Sequence, residues 1–242
     1  FKRSMAASLR VPGAGSLSYT APMPTLKSDP VVIVLAAGDS QRMGQAKLLT
    51  MLGKKRVIEH TLRTYRKARR VQDIILVIPP GATETYEPLR TATLHLVENP
   101  DPDRGMISSI RVGLDCGWAQ ERNFLITPGD VPFVSPEIVD QIVTEFVTRR
   151  CKVVLPTYKG LGGHPGLFAS ELRDDFFLHG DTNGTREILF RHQQDTVRLH
   201  VHEPDVCYDI DTPEHLAMAA DPGARWARVM DLVEAKRKPK LR

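Results

Sequence analysis

The chain lacks sequence features that define several large classes of protein. Only three of its 242 residues are cysteines, at Cys116, Cys151 and Cys207, and none forms a Cys-x-x-Cys pair. This usage argues against a disulfide framework and against a structural zinc site, and it fits a reducing cytoplasm. Apolar runs long enough to cross a bilayer are lacking, and the N-terminus has no signal-peptide pattern. We therefore expect a cytoplasmic protein that does not bind a membrane.

Aromatic residues are also few, at 6%, and the net charge is only +4. Much of the positive charge lies in residues 1–10 and 236–242, at the two ends of the chain. A basic tail is typical of some nucleic-acid-binding proteins, but those also carry aromatic-rich motifs that this sequence lacks. Solvated ends are the better interpretation, and nucleic acid is not an expected partner.

The organisation along the chain indicates three parts. Residues 1–29 are rich in Ser, Pro, Gly and Ala without apolar periodicity, which predicts a disordered extension or an expression remnant. Residues 30–222 contain enough hydrophobic residues for one substantial core. Residues 223–242 predict a basic helix and tail, which is either a docking helix or the start of a further domain.

Strand and helix patterns alternate within residues 30–222, which predicts an α/β fold with a mostly parallel sheet covered on both faces. Ligands of such sheets bind beyond the carboxyl ends of the strands. The predicted strands are 31–36, 73–78, 94–98, 123–127, 152–155, 166–169 and 196–201, and the predicted helices are 56–70, 106–118, 136–148, 185–193 and 223–236.

The most informative segment is 31–47, which reads VVIVLAAGDSQRMGQAK. A buried strand ends abruptly in small residues, so a ligand could lie directly on the backbone there. A hydroxyl from Ser40 and the positive charges of Arg42 and Lys47 follow, and backbone N–H groups at a strand-to-helix turn favour anions. The segment therefore predicts binding of a nucleoside triphosphate.

This loop differs from the two common nucleotide-binding loops. Gly38 and Gly44 enclose five residues, whereas a P-loop has four, and Lys47 is followed by Leu48 rather than by Ser or Thr. The dinucleotide pattern Gly-x-Gly-x-x-Gly is absent as well. An ordinary turn with incidental charges remains the alternative for a bare glycine-rich loop.

The whole string Leu-Ala-Ala-Gly-x-Ser-x-Arg-Met-Gly-x-x-Lys resembles the nucleotidyltransferases of the molybdenum cofactor. With Ala36 and Ala37 before Gly38, it is more similar to the cytidylyltransferase branch, because the guanylyltransferase branch usually carries Ala-Gly-Gly. The resemblance implies a Rossmann-like three-layer sandwich with a mostly parallel mixed sheet, similar to nucleotide-diphospho-sugar transferases. It covers about residues 31–220, so residues 30–222 would form the nucleotidyltransferase domain.

Two acidic segments are candidates for holding a metal ion. Asp130 follows a predicted strand in the sequence Pro-Gly-Asp-Val-Pro, and Asp209 and Asp211 lie two residues apart in Asp-Ile-Asp-Thr-Pro. Two carboxylates on one side of an extended segment repel each other unless a cation or a donor lies between them. A turn at Asp130, and helix capping by Asp211 or Thr212, are the structural alternatives.

The resemblance strengthens the metal interpretation, because both acidic motifs occur in this family in the same order. It implies that Asp130 and Asp211 bind Mg²⁺, with Mn²⁺ as an alternative and Asp209 as a secondary candidate. Mg²⁺ prefers a few carboxylate oxygens together with phosphate and water. By the same resemblance, Arg42, Lys47 and Asp130 are the catalytic residues.

A further segment resembles the family's nucleotide-binding helix, Gly-Met-x-x-Ser-Leu-x-x-Gly-Leu. Its serines would donate to ribose or phosphate, or they would only cap the helix, and Met106 and Ile110 are expected in the core. The predicted nucleotide-binding residues are Leu35, Ala36, Ala37, Gly38, Ser40, Arg42, Gly44, Lys47, Asn99, Ser108, Ser109 and Gly129.

The acceptor side is predicted from two segments. Gly163, His164 and Pro165 belong to a stretch that resembles the family's Gly-His-Pro-x-Leu-Phe segment, in which the histidine would bind a phosphate. A polar surface histidine is the alternative. Asp181 and Arg186 belong to a segment that is one residue longer than the family's Gly-Asp-x-Gly-Ala-Arg, which weakens any inference about the acceptor.

The resulting prediction is a Mg²⁺-dependent transfer of CMP from CTP to the phosphate of molybdopterin, with release of pyrophosphate. Its partners would be CTP, a phosphate-bearing acceptor and, transiently, a molybdoenzyme. The alternatives are a guanylyltransferase, a sugar- or alcohol-phosphate nucleotidyltransferase of the same fold, and a non-catalytic carrier of the cofactor.

Overall fold

The computed structural model describes residues 29–38 and 47–237, and for residues 180–183 it describes the backbone. The predicted positions Ser40, Arg42 and Gly44 lie outside the described residues, as does nearly all of the predicted N-terminal extension.

An eight-stranded mixed sheet forms the centre of the described chain. Its order is β10-β7-β9-β6-β1-β4-β5, with β8 added to β7, and a separate two-stranded hairpin is formed by β2 and β3. The strands are β1 Val31–Leu35, β2 Met51–Leu52, β3 Lys55–Arg56, β4 Ile74–Ile78, β5 Leu94–Glu98, β6 Phe124–Pro128, β7 Val153–Tyr158, β8 Leu161–Gly162, β9 Gly166–Phe168 and β10 Thr196–His200.

Strand β9 divides the sheet into two halves. On one side, β6, β1, β4 and β5 are parallel neighbours, and on the other side β7 and β10 are parallel. Between them β9 runs antiparallel to both β6 and β7. The α/β class and the mostly parallel mixed sheet are confirmed.

Helices cover both faces of this sheet. Residues of β1 and β4 alternate between two core clusters, because successive side chains of a strand point to opposite faces. One cluster includes residues of α1, α4 and α8, and the other includes residues of α3, α5 and α6. The helices are α1 Val57–Lys67, α2 Thr83–Tyr86, α3 Met106–Asp115, α4 Pro136–Arg149, α5 Arg173–Asn183, α6 Thr185–Arg191, α7 Pro213–Met218 and α8 Pro222–Arg237.

Helix α3 approaches β1 closely because its Gly113 has no side chain. A Cβ atom at this position would lie 2.5 Å from Cγ2 of the fully buried Ile33. The helix begins directly after Gly105, whose φ of 83° lies in a region that L-amino acids rarely adopt. These two glycines place the start of α3 at the carboxyl edge of the parallel strands.

Several predicted elements need correction. Helix α5 was not predicted, because its hydrophobic side chains lack a clear stripe and it carries Gly180 near its end. Helix α3 ends at Asp115 rather than at residue 118, and β7 continues to Tyr158. Met106 was expected in the core but is 57% exposed, because in the first turn of α3 it is Ile107 that faces the core, whereas Ile110 is buried as expected.

None of the helices within residues 29–38 and 47–237 has the length and apolar character needed to cross a membrane.

Candidate active site

The candidate site begins where β1 and β6 end side by side. Leu35 pairs with Pro128, and the N–H of Gly129 donates to the carbonyl of Leu35 at 2.9 Å. On the other side of β1, the N–H of Ala36 donates to the carbonyl of Val77 at 2.7 Å. The backbone of Ala36, Ala37 and Gly38 therefore leaves the sheet next to Gly129 and Asp130, as the sequence predicted.

Three charged side chains from distant parts of the chain meet at this edge. The ammonium of Lys47 lies 2.5 Å from Oδ2 of Asp130 and 3.0 Å from Oδ1 of Asp211. Burial alone would lower the pKa of Lys47, but the two carboxylates outweigh it and raise the pKa above its usual value. The lysine is therefore held protonated between the two aspartates, and their role as metal ligands stays a prediction.

One carboxylate oxygen of Asp130 has no hydrogen-bond partner among the residues that the structure describes. This atom, Oδ1, is buried. A buried carboxylate oxygen that lacks a partner is costly, so such atoms usually have a functional explanation. The atom is suited to a cation ligand, and its position beside Asp211 fits the predicted metal site.

Asp209 adds a third acidic group to the same region. Burial, and next the charges of Asp211 and Asp130, raise its pKa to about 6. The single ammonium of Lys47 therefore does not fully relieve the repulsion among the acids. Among the described residues, no group of three or more Asp, Glu, His or Cys side chains could hold a metal ion, so these three acids do not form a metal site on their own. A metal ion would take its remaining ligands from phosphate and water, as Mg²⁺ commonly does.

Asp130 is positioned in part by a hydrogen bond to the residue before it. The hydroxyl of Thr61, on α1, donates to the carbonyl of Gly129 at 2.8 Å. Position 129 has little room for a side chain, because a Cβ atom would lie 3.0 Å from Leu48 and 3.1 Å from the carbonyl oxygen of Leu35. The role of Thr61 was missed in the sequence, since a threonine inside a helix gives no signal of a contact 68 residues away.

The segment that carries Asp211 is attached directly to Asp130. The N–H of Ile210 donates to the carbonyl of Asp130 at 3.0 Å. Thr212 then caps α7, its hydroxyl accepting from the N–H of His215 at 3.3 Å, with Pro213 in the first turn. Capping was one of the two interpretations of this motif, and Thr212 performs it while Asp211 contacts Lys47.

The predicted base and ribose residues are arranged differently. Asn99 is 1% exposed, and its side-chain amide donates to the hydroxyls of Ser108 and Ser109, both at 2.9 Å. Ser109 is buried as well, whereas Ser108 is partly exposed at the first turn of α3. Asn99 and Ser109 thus join the end of β5 to the start of α3, and of this group Ser108 is the one accessible from outside.

The predicted acceptor loop lies close to Asp130. The N–H of His164 donates to the carbonyl of Val206 at 2.8 Å, and Pro165 follows in a cis peptide bond. Gly163 is packed so tightly that a Cβ atom would lie 2.6 Å from that same carbonyl oxygen. Burial lowers the pKa of His164, and the nearby charge of Asp130 opposes this shift. The imidazole is therefore predominantly neutral at pH 7.

The second predicted acceptor segment is helical. Asp181 lies in the last turn of α5, and Arg186 is an exposed residue near the start of α6. Arg111 of α3 donates to the carbonyls of Phe176 and Phe177, and Arg173 contacts the C-terminal end of α3. Because α5 thus runs antiparallel to α3, its last turn lies toward the edge where α3 begins.

Comparison with known proteins agrees with this arrangement. Residues 32–197 match the MobA-like NTP transferase domain. The chain belongs to the MobA-like NTP transferase family. The predicted family and fold class are thereby confirmed.

A curated relative, the probable molybdenum cofactor guanylyltransferase of Thermococcus sibiricus, is 28% identical over 127 residues. That match covers 52% of this chain and 61% of the relative, so the chain spans about three fifths of the length of this curated protein.

Two solved structures share the fold. The first is 4-diphosphocytidyl-2C-methyl-D-erythritol synthase from Anaerococcus prevotii, with a TM-score of 0.66, 18% identity, and coverage of 80% of this chain and 95% of that chain. The second is the manganese complex of Rv0371C from Mycobacterium tuberculosis, with a TM-score of 0.63, 20% identity, and coverage of 85% and 100%.

Proposed function

We propose that this protein transfers a nucleoside monophosphate from a nucleoside triphosphate to the phosphate of a molybdopterin-type acceptor, with release of pyrophosphate. The observation that carries the proposal is the meeting of Lys47, Asp130 and Asp211 beside the backbone that follows β1. Acidic and basic groups placed together at the carboxyl edge of a parallel sheet suit a triphosphate with a divalent cation.

Each residue of the site has a distinct part in this proposal. The backbone from Ala36 to Gly38 accommodates the triphosphate, and Lys47 neutralises charge on the departing pyrophosphate. Asp130 and Asp211 would hold the divalent cation, and the buried Oδ1 of Asp130, which has no partner within the described part of the chain, supports this assignment. When bound, Mg²⁺ or Mn²⁺ would neutralise phosphate charge in the transition state. A manganese complex is known for the Mycobacterium tuberculosis Rv0371C, which shares the fold.

The acceptor needs little chemical activation from the protein. Its phosphate is already anionic at neutral pH, so a strong general base is not required for attack on the α-phosphorus. The work of the site is then positioning and charge neutralisation. The neutral His164 beside Asp130 is suited to donate a hydrogen bond to the acceptor phosphate without adding a second buried charge.

We propose CTP as the nucleotide, because Ala37 stands where the guanylyltransferases of this family usually have glycine. Ala37 is 3% exposed and belongs to the same core cluster as Ile107 of α3. Its methyl group would reduce the space beside the loop, which favours a pyrimidine over a purine. GTP is the second candidate, since the Thermococcus sibiricus relative is named a guanylyltransferase.

The experiment is a product assay with purified protein, Mg²⁺, molybdopterin and each of the four nucleoside triphosphates in turn. We expect pyrophosphate and a molybdopterin dinucleotide with CTP, and a shift toward GTP in Ala37→Gly. Turnover with a sugar phosphate in place of molybdopterin would overturn the proposed acceptor. Tight molybdopterin binding without consumption of any triphosphate would instead indicate a non-catalytic carrier.

A further inference from the structure

One arginine of the last helix lies on its buried face, together with Val229 and Val233. Arg225 lies in α8 and is 9% exposed, whereas Lys236 and Arg237 of the same helix face solvent. A buried guanidinium is costly unless its donors are paired, so its partners indicate what it is for. The proposed function assigns no role to Arg225.

Arg225 is paired on every side. Its Nε and Nη2 donate to the two carboxylate oxygens of Asp205 at 2.9 and 3.1 Å, and its Nη1 donates to the carbonyl of Ala219 at 2.7 Å. The guanidinium carbon also lies 3.9 Å from the centre of the Phe133 ring. This combination of a bidentate contact with a carboxylate and stacking on an aromatic ring is specific to arginine and is not reproduced by lysine.

Both partners lie on the segments that carry the candidate metal ligands. Phe133 is three residues after Asp130, and Asp205 is six residues before Asp211. The Phe133 ring also packs edge-on against Tyr208, with ring centres 5.9 Å apart. Arg225 therefore connects the loop after β6 to the segment after β10.

A second contact joins the same two segments on the side of the acids. The N–H of Ile210 donates to the carbonyl of Asp130, as described above. Together with the Phe133–Tyr208 ring contact and a hydrogen bond from the Ser135 hydroxyl to Glu203, the two segments are joined at several points. Arg225 is the member of this set that contacts both segments at once, through Asp205 and Phe133.

We propose that Arg225 is a positioning residue that sets the separation of Asp130 and Asp211, acting through Phe133 and Asp205. It does not touch the reacting atoms. The proposal rests on the proposed function, because it assigns Arg225 to the same pair of carboxylates. It gives α8 a definite role, that of holding the two acidic segments in register.

The test compares Arg225→Lys with Arg237→Lys, an exposed position on the same helix that serves as the matched control. Mn²⁺ affinity is measured by electron paramagnetic resonance in the presence of CTP, and kcat and KM for CTP are measured under the same conditions. We expect Arg225→Lys to weaken Mn²⁺ binding about tenfold and lower kcat about 30-fold, with KM for CTP changed less than about threefold, because lysine keeps the charge but loses the paired geometry.

A merely structural role is distinguished by a double-mutant cycle on Mn²⁺ affinity with Asp130→Asn. If Arg225 acts through Asp130, the two losses are clearly less than additive, whereas independent effects would simply add. Circular dichroism at the assay temperature reports whether each variant is folded. If Arg225→Lys does not fold, Phe133→Leu, which removes only the ring contact, must show the same loss of kcat and Mn²⁺ affinity to a smaller degree.

The outcomes separate this inference from the proposed function. An Arg225→Lys protein that is folded and unchanged in Mn²⁺ affinity and kcat overturns the positioning role alone. Additive losses in the cycle overturn it as well. A wild-type protein that neither binds Mn²⁺ with a nucleotide nor releases pyrophosphate overturns the proposed function and, with it, the role of Arg225.

Discussion

The two halves of the sheet hold the candidate site in different ways. In the half formed by β1, β4, β5 and β6, the site residues follow the ends of parallel strands, and backbone hydrogen bonds between neighbouring strands fix them. In the half formed by β7, β9 and β10, the site depends on loops joined by contacts that are distant in sequence. Gly163 against Val206, and Arg225 against Asp205, are the clearest of these.

The difference has a physical origin. Parallel strands place their carboxyl ends at one edge as a consequence of their pairing, so Gly38 and Gly129 become neighbours without help from side chains. The segment 201–212 follows no such rule, because it leaves the sheet after β10 and returns across it. Its position must be set by individual contacts, so we expect it to be more sensitive to single substitutions.

The largest effect is expected at the junction of the two halves. Asp130→Ala, with the fold intact, should reduce pyrophosphate release about 1,000-fold or more, because it removes the acidic group next to both Lys47 and Asp211. Steady-state pyrophosphate release measures the loss, and Asp231→Ala, an exposed aspartate of α8, is the control. An Asp130→Ala enzyme with ordinary activity would remove Asp130 from the catalytic residues.

The second prediction tests the half that depends on loop contacts. Gly163→Ala adds a methyl group 2.6 Å from the carbonyl oxygen of Val206, so the His164 loop must move away from the segment that leads to Asp211. We expect kcat/KM for the acceptor to fall about tenfold, with a smaller change in KM for the nucleotide. Gly162→Ala, where a Cβ atom meets nothing within 4 Å, is the matched control. Equal kinetics for the two variants would contradict the prediction.

The third prediction tests the parallel half with the same substitution. Gly113→Ala adds a methyl group 2.5 Å from Ile33, which is rigid and fully buried. Alanine favours a helix by about 1 kcal/mol relative to glycine, but overpacking costs about 1–3 kcal/mol, so we expect a net loss of about 1 kcal/mol in the free energy of unfolding. Urea denaturation measures it. A stabilised variant would contradict this prediction, because it would show that α3 can move away from β1 to make room for the methyl group.

The smallest effect on catalysis is expected far from the site, at the amino edge of the parallel half, where a substitution should change stability only. A hydrogen bond from His95, and next the contact with Arg122, lower the pKa of Asp73. Because the folded-state pKa is lowered, this stabilisation is present above the ordinary carboxyl pKa of about 4 and is lost as the pH falls through the lower folded value.

Asp73→Asn should therefore reduce the free energy of unfolding by about 1–2 kcal/mol at pH 7, and by less near about pH 3. Denaturant unfolding at both pH values measures this difference. Asp231→Asn, an exposed change, should show no such dependence. A loss that is constant with pH would mean that the charge of Asp73 is not what stabilises this edge.

Much of the parallel half could be predicted from the sequence. The runs of Val, Ile and Leu that form β1, β4 and β6 are buried on both faces, so their identity as strands needs no further information. The small residues after β1 and the Gly-Asp motif after β6 then had to meet at the carboxyl edge. Helix α5 had no such pattern and was missed.

The sequence by itself determined the order of the longer strands and of five helices, and the kinds of side chain that reach the carboxyl edge, because hydrophobic periodicity and turn residues act over short distances. Only the tertiary structure decided that Lys47 lies between Asp130 and Asp211, that Asn99 and Ser109 face the interior, and that Arg225 holds two loops together. These depend on contacts between residues tens to more than a hundred positions apart or on the direction of a single side chain, which local patterns do not encode.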